Sequence, residues 1–192
     1  MTNLNKAISV LKKGGIVIFP TDTAYGIGCR MDDEKAVKRL FEIRSRPSSQ
    51  ATPVLVSSVK MACKCFSTPL PDVVRHLMEK YWPGALTIVY ESNNRIPLPV
   101  RGGGRTVGLR MPNHKTILKV IKRLDIPVLG PSANLHGQPT PFRYEDLDPN
   151  LVKQADYVIS GKCQEGNVST VVDCTSEPFK IIRQGAIMIS DL

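Results

Sequence analysis

No apolar run in this sequence approaches the roughly 20 residues that a helix needs to cross a bilayer. The longest, residues 16–20 and 84–90, stop far short, so a membrane-spanning segment and a membrane partner are not expected. Residues 1–7 hold no basic stretch leading into an apolar core and a small-residue cleavage site. A secretory signal is therefore not expected, and the chain reads as cytoplasmic. The five cysteines are odd in number and form no CxxC pair, and the three histidines stand apart from them. That pattern supports neither a disulfide framework nor a zinc site, and leaves buried or free thiols. Acidic side chains are missing altogether from residues 92–124.

In that stretch Arg95, Arg101, Arg105, Arg110, Lys115, Lys119, Lys122 and Arg123 accumulate, and the whole chain carries a net charge of +9. Such a field attracts polyanions: nucleotide phosphates, an RNA backbone, or both. A solvated basic face with no specific partner is the alternative. With 192 residues, 42% of them hydrophobic, the chain is long enough for one substantial core and short for two. A single domain over residues 1–192 is expected.

Leu4, Ala7, Ile8 and Leu11 repeat at helical spacing, and Lys12, Lys13, Gly14 and Gly15 supply cations and a glycine stop. The apolar run 16–19 predicts a strand, which enters the polar loop Pro20, Thr21, Asp22, Thr23. Asp33 heads a second helix on Ala36, Val37, Leu40, Phe41 and Ile43, with Pro47 as its limit. Strands are predicted over 53–56, 86–90 and 106–111, and before Gly130. Helices are predicted on Val73 to Tyr81 and Ile117 to Leu124, and three last strands over 157–160, 169–174 and 179–183. Strands mixed with helices predict an α/β fold: a twisted mixed sheet with helices on its faces and some antiparallel pairing near the end.

Polar and cationic residues cluster at several strand or helix ends, where such sheets place a ligand crevice. Each cluster taken alone has a plain reading. Thr21, Asp22 and Thr23, like Ser132 to Asn134, would close Asx or Ser/Thr turns. Arg44 and Arg46 would complement a helix C-terminus. Trp82, Pro83 and Gly84 would end a helix and pack an aromatic on the core. Arg110 lies in an apolar strand, and a buried arginine needs an anionic partner. A bound carboxylate or phosphate would serve, as would an internal Asp or Glu.

Six stretches in order settle on one family. PTDTAYGIG (20–28), YWPGALT (81–87), TVGLRMPNH (106–114), GPSANLHGQP (130–139), STVVD (169–173) and IIRQGAI (181–187) together resemble the motifs of the YrdC-like family. The resemblance covers roughly residues 14–187. It implies a YrdC-like fold around a concave basic cavity, and L-threonylcarbamoyladenylate synthase activity. L-threonine, bicarbonate or carbon dioxide, and ATP would give the adenylate and pyrophosphate for threonylcarbamoyladenosine modification of tRNA. Proteins that transfer the threonylcarbamoyl group would be the downstream partners.

The same resemblance implies the roles. Arg110 would clasp the threonine carboxylate, with Thr23, Ser132 and Ser169 completing the amino-acid pocket. Thr106, Asn134 and Arg183 would hold ATP, with Arg44 and Arg46 on its phosphates. Arg44, Arg46, Ser132 and Asn134 form the catalytic set. Magnesium would arrive with ATP, with no metal site of the protein's own and no organic cofactor. The sequence departs from the family pattern at Arg44, usually lysine, and at Thr52 and Ser57, often asparagine and histidine. Two rivals stand beside this reading: a non-catalytic relative that binds double-stranded RNA or tRNA, and a carbamoyl-transfer enzyme akin to domains of hydrogenase-maturation proteins.

Overall fold

The computed structural model describes residues 3–164 and 166–189. The chain opens with α1 (Asn3–Lys12), whose Ala7, Ile8 and Leu11 face inward. Gly14, at φ +76°, turns it into the hairpin β1 (Val17–Pro20) and β2 (Tyr25–Gly28). Helix α2 (Glu34–Ile43) begins at Asp33, whose carboxylate accepts from the Ala36 N–H, and ends at Arg44, short of Pro47. After β3 (Val54–Leu55), α3 (Val59–Cys63), α4 (Asp72–Tyr81), β4 (Leu86–Glu91) and β5 (Thr106–Arg110) comes α5 (Lys115–Leu124). The remainder is β6 (Val128–Leu129), α6 (Pro149–Gln154), β7 (Tyr157–Val158), β8 (Thr170–Asp173) and β9 (Lys180–Arg183). Among the described residues no helix is long and apolar enough to cross a membrane.

The strands form two sheets rather than the one expected. A three-stranded sheet has the order β2-β1-β7, and a six-stranded mixed sheet runs β6-β3-β5-β4-β8-β9. In the larger sheet β3/β5 and β4/β8 are parallel, while β3/β6, β4/β5 and β8/β9 are antiparallel. The hairpin partner β2 is the strand that sequence reading missed, because its two glycines and the preceding polar loop resemble a turn. Trp82 packs into the core with its indole N–H on the Leu86 carbonyl at 2.8 Å. All five cysteines are free.

The two sheets meet where β2 runs antiparallel to β6 and its extension. Leu129 donates to the Cys29 carbonyl at 2.9 Å, Ile27 to Pro131 at 3.0 Å and Ala133 to Tyr25 at 2.8 Å. Only glycine fits at this seam, since a Cβ on Gly28 would lie 1.7 Å from the Leu129 carbonyl oxygen. Backbone on both sides leaves no flexible side chain to yield. Gly28→Ala is therefore expected to destabilise the protein by at least about 3 kcal/mol, the upper end of the usual overpacking range, measured by urea denaturation. A midpoint equal to the parent's would mean that the seam opens without loss.

Candidate functional site

Strand ends from both sheets converge on one cavity of about 190 Å³. The β1–β2 turn brings Thr21 and Thr23, β5 ends on Arg110, and the segment after β6 brings Ser132. Thr87 near the start of β4, Ser169 just before β8, and Arg183 at the end of β9 complete one wall, while Arg44 and Arg46 enter from beyond α2. Four arginines thus line the cavity, and among the described residues no Asp or Glu does.

Arg110 answers the question its sequence context leaves open. Its guanidinium is buried and ion-paired with an internal carboxylate, Asp22 Oδ1, at 2.5 Å from Nη2. Nη1 donates to Thr23 Oγ1 at 2.7 Å and Nε to the Gly84 carbonyl at 3.0 Å. The β1–β2 turn is also a Ser/Thr turn: Thr21 Oγ1 accepts from the N–H of Thr23 (3.1 Å) and of Ala24 (3.2 Å). The turn chemistry and the arginine contacts coexist in the same four residues.

Arg44 is held differently. Its Nε and Nη2 donate to the backbone and side-chain oxygens of Asn134 at 3.1 and 3.2 Å, and Asn134 Oδ1 also accepts from Ser132 Oγ at 2.6 Å. Asn134 thus holds Arg44 rather than lining the cavity itself. Arg46 Nη2 donates to the Ala51 carbonyl at 2.8 Å. Arg44 Nη1, Arg46 Nε and Thr52 Oγ1 are buried without a hydrogen-bond partner from the described residues. Burial, and then the neighbouring Arg46 charge, pulls the Arg44 guanidinium down to about 10, and burial lowers Arg46 as well.

On the other wall, Thr87 Oγ1 and Ser169 Oγ lie 2.9 Å apart. Arg183, although an exposed residue of the outermost strand, turns its guanidinium inward: Nε and Nη2 reach the Ser169 carbonyl at 3.0 and 2.9 Å. Burial, and then the charge of Arg110, draws its pKa down. Of the four lining arginines only Arg110 makes an ion pair with a protein carboxylate among the described residues.

The structure gathers Thr23, Arg44, Arg46, Arg110, Ser132, Ser169 and Arg183 at the cavity, with Asn134 behind Arg44. It does not bring Thr106 there. Thr106 begins β5 opposite Glu91, at the far end of the strand from Arg110, about 13 Å away at strand rise. Two residues had no site role from the sequence: Asp22, read only as part of a turn although it is a lone carboxylate in a polar loop of an arginine-rich chain, and Thr87, hidden in an apolar strand. His114 and His136 do not line the cavity. Among the described residues no cluster of three or more His, Cys, Asp or Glu is placed to hold a metal.

Arg44 is 3% exposed and pairs with no carboxylate among the described residues, a state that destabilises the folded protein. Arg44→Met, of similar length and apolar, is expected to raise unfolding stability by about 1 kcal/mol. A clear loss in the denaturation midpoint would show that the Asn134 contacts outweigh the buried charge.

Comparison with known proteins identifies relatives of the chain. The profile of the Sua5, YciO and YrdC family, described as telomere recombination, matches residues 9–185. The chain is similar to the threonylcarbamoyl-AMP synthases of Pyrococcus abyssi (32% identical, covering 97% of this chain and 55% of the relative) and Bacillus subtilis (34%, 95% and 53%). It thus spans about half the length of these curated relatives. The crystal structure of P. abyssi Sua5 complexed with L-threonine superposes with a TM-score of 0.88 at 32% identity, covering 95% of this chain and 54% of that one.

Proposed function

The chain belongs to the Sua5/YciO/YrdC family, and on that premise we propose that it is an L-threonylcarbamoyladenylate synthase acting in the cytoplasm for tRNA modification. The observation that carries this reading is the meeting of four arginines, three without a carboxylate partner among the described residues, at one cavity. The reaction needs that arrangement. The threonine amine captures carbon dioxide, or bicarbonate with loss of water, as a carbamate. A carbamate oxygen then bonds to the α-phosphorus of ATP as the bond to the bridging oxygen breaks and pyrophosphate leaves. Both reactants are anionic, so catalysis rests on positioning and charge neutralisation.

The enclosed space is below the roughly 300 to 1,000 Å³ of pockets that surround a drug-sized ligand. It suits an amino acid, with the nucleotide extending beyond it. Arg110 has five N–H groups and commits three, to Asp22, Thr23 and Gly84. The two that remain, one on each terminal nitrogen, grip the threonine carboxylate. Thr23, Ser132 and Ser169 shape the rest of that pocket. Arg44 Nη1 and Arg46 Nε supply donors for phosphate oxygens, with Arg183 opposite. Thr106, outside this enclosed space at the far end of β5, would meet the part of the nucleotide that extends beyond it.

Magnesium enters as part of the substrate, Mg-ATP. Phosphate oxygens and water would hold the ion, as is usual for magnesium carried by a nucleotide. The partners in this reading are ATP, L-threonine, bicarbonate, tRNA and the proteins that receive the adenylate.

The test is pyrophosphate release by the purified protein with Mg-ATP and bicarbonate, with L-threonine, with L-serine and with neither. Release that requires threonine is expected, with kcat/KM lowered on the order of 100-fold in Arg110→Ala, which removes the carboxylate's partner. Absence of release in the parent, together with salt-sensitive RNA binding, would favour the non-catalytic RNA-binding relative.

A further inference from the structure

We propose that Asp22 is a positioning residue for the amino-acid pocket: it fixes the guanidinium of Arg110 and determines which of its donors face the substrate. The inference rests on the assignment of Arg110 to the threonine carboxylate. Asp22 does not line the cavity, and its side chain is 3% exposed, so it acts through Arg110 rather than on substrate.

The geometry leaves Arg110 a single pose. Nε is held by the Gly84 carbonyl in the larger sheet's approach to β4, and Nη1 by Thr23 Oγ1. Nη2 is held by Asp22 Oδ1. Three bonds to a planar fork define its plane and its rotation, and two of them come from adjacent residues of the β1–β2 turn. The Asp22 backbone is itself anchored, its carbonyl accepting from Gln164 N–H at 3.2 Å.

Charge is the second part of the argument. Arg183 senses the charge of Arg110, and Arg44 and Arg46 repel each other nearby. The Asp22 carboxylate compensates Arg110 from the side away from the cavity. Arg110 therefore offers the substrate directed hydrogen bonds, while the uncompensated charge is concentrated on Arg44, Arg46 and Arg183. On this division, loss of Asp22 frees the fork to turn, and a near miss in placing a bound group is enough for losses on the order of 100-fold.

The experiment is calorimetric titration of L-threonine and, separately, of Mg-ATP into the parent chain, Asp22→Asn and Asp22→Glu. Asp22→Asn keeps the shape and an acceptor but removes the charge; Asp22→Glu keeps the charge. Threonine binding is expected to weaken ~100-fold in Asp22→Asn and to recover partly in Asp22→Glu, with ATP binding unchanged in both. Unaltered threonine affinity in Asp22→Asn would overturn the proposal, as would equal losses for threonine and ATP, the mark of a purely structural role. If Asp22→Asn does not fold, Asp22→Glu decides alone: a loss confined to threonine supports the proposal, and no loss or an equal loss overturns it. A parent chain that binds ATP but no threonine would remove the carboxylate assignment and this inference with it. That failure is distinguishable because it appears without any variant.

Discussion

A buried guanidinium joins the two sheets of this protein. Arg110 ends β5 of the six-stranded sheet, and its counter-charge, Asp22, comes from the β1–β2 turn of the three-stranded one. A buried cation without that partner would be strongly unfavourable. The turn must therefore lie against the end of β5, and the sheets cannot separate there without exposing or orphaning the pair. The same closure brings Thr23 within 2.7 Å of Arg110. It also sets the neighbouring strand ends, with Ser132, Ser169 and Arg183, around one cavity. Closing the seam and assembling the site are the same event.

The other arginines show the converse. Among the described residues, buried Arg44 is held by neutral oxygens of Asn134 and has one terminal nitrogen unpartnered. Arg46 and Thr52 each leave a buried polar atom unpaired beside it. In a protein that satisfies nearly every buried polar atom, such a cluster marks a place where stability is given up for binding. An anionic guest would relieve the depressed pKa values and fill the open donor positions together. One arginine is thus neutralised to be aimed, and three are left charged to attract.

Much of this was legible in the residues. Helices α1, α2, α4 and α5 follow from their apolar spacing, and Asp33 is the cap its position suggests. The short helices escaped: α3 and α6 span five and six residues, too few for a period to register, whereas the apolar runs over 53–56, before Gly130 and over 157–160 hold the two-residue strands β3, β6 and β7. The division into two sheets escaped with β2, whose glycines are there because Gly28 faces the Leu129 carbonyl. Within the site, the family motifs point at residues the fold does gather, such as Arg110, Ser169 and Arg183. Thr106 lies at the opposite end of β5 from Arg110 and outside the enclosed cavity. Asp22 stayed hidden because a turn already accounts for an aspartate, and only the fold reveals which arginine it meets.

The cavity is built to hold a carboxylate and a triphosphate together. The most direct test is the thermal midpoint of the parent protein with L-threonine, with Mg-ATP, and with both. Ligands that bind only the folded state raise the midpoint. Each is expected to raise it alone and the pair to raise it further, because threonine sits against Arg110 while the phosphates take up Arg44 and Arg46. If the pair raises the midpoint no further than the more effective ligand alone, the two compete for the same arginines, and the division of the site between Arg110 and the other three is contradicted.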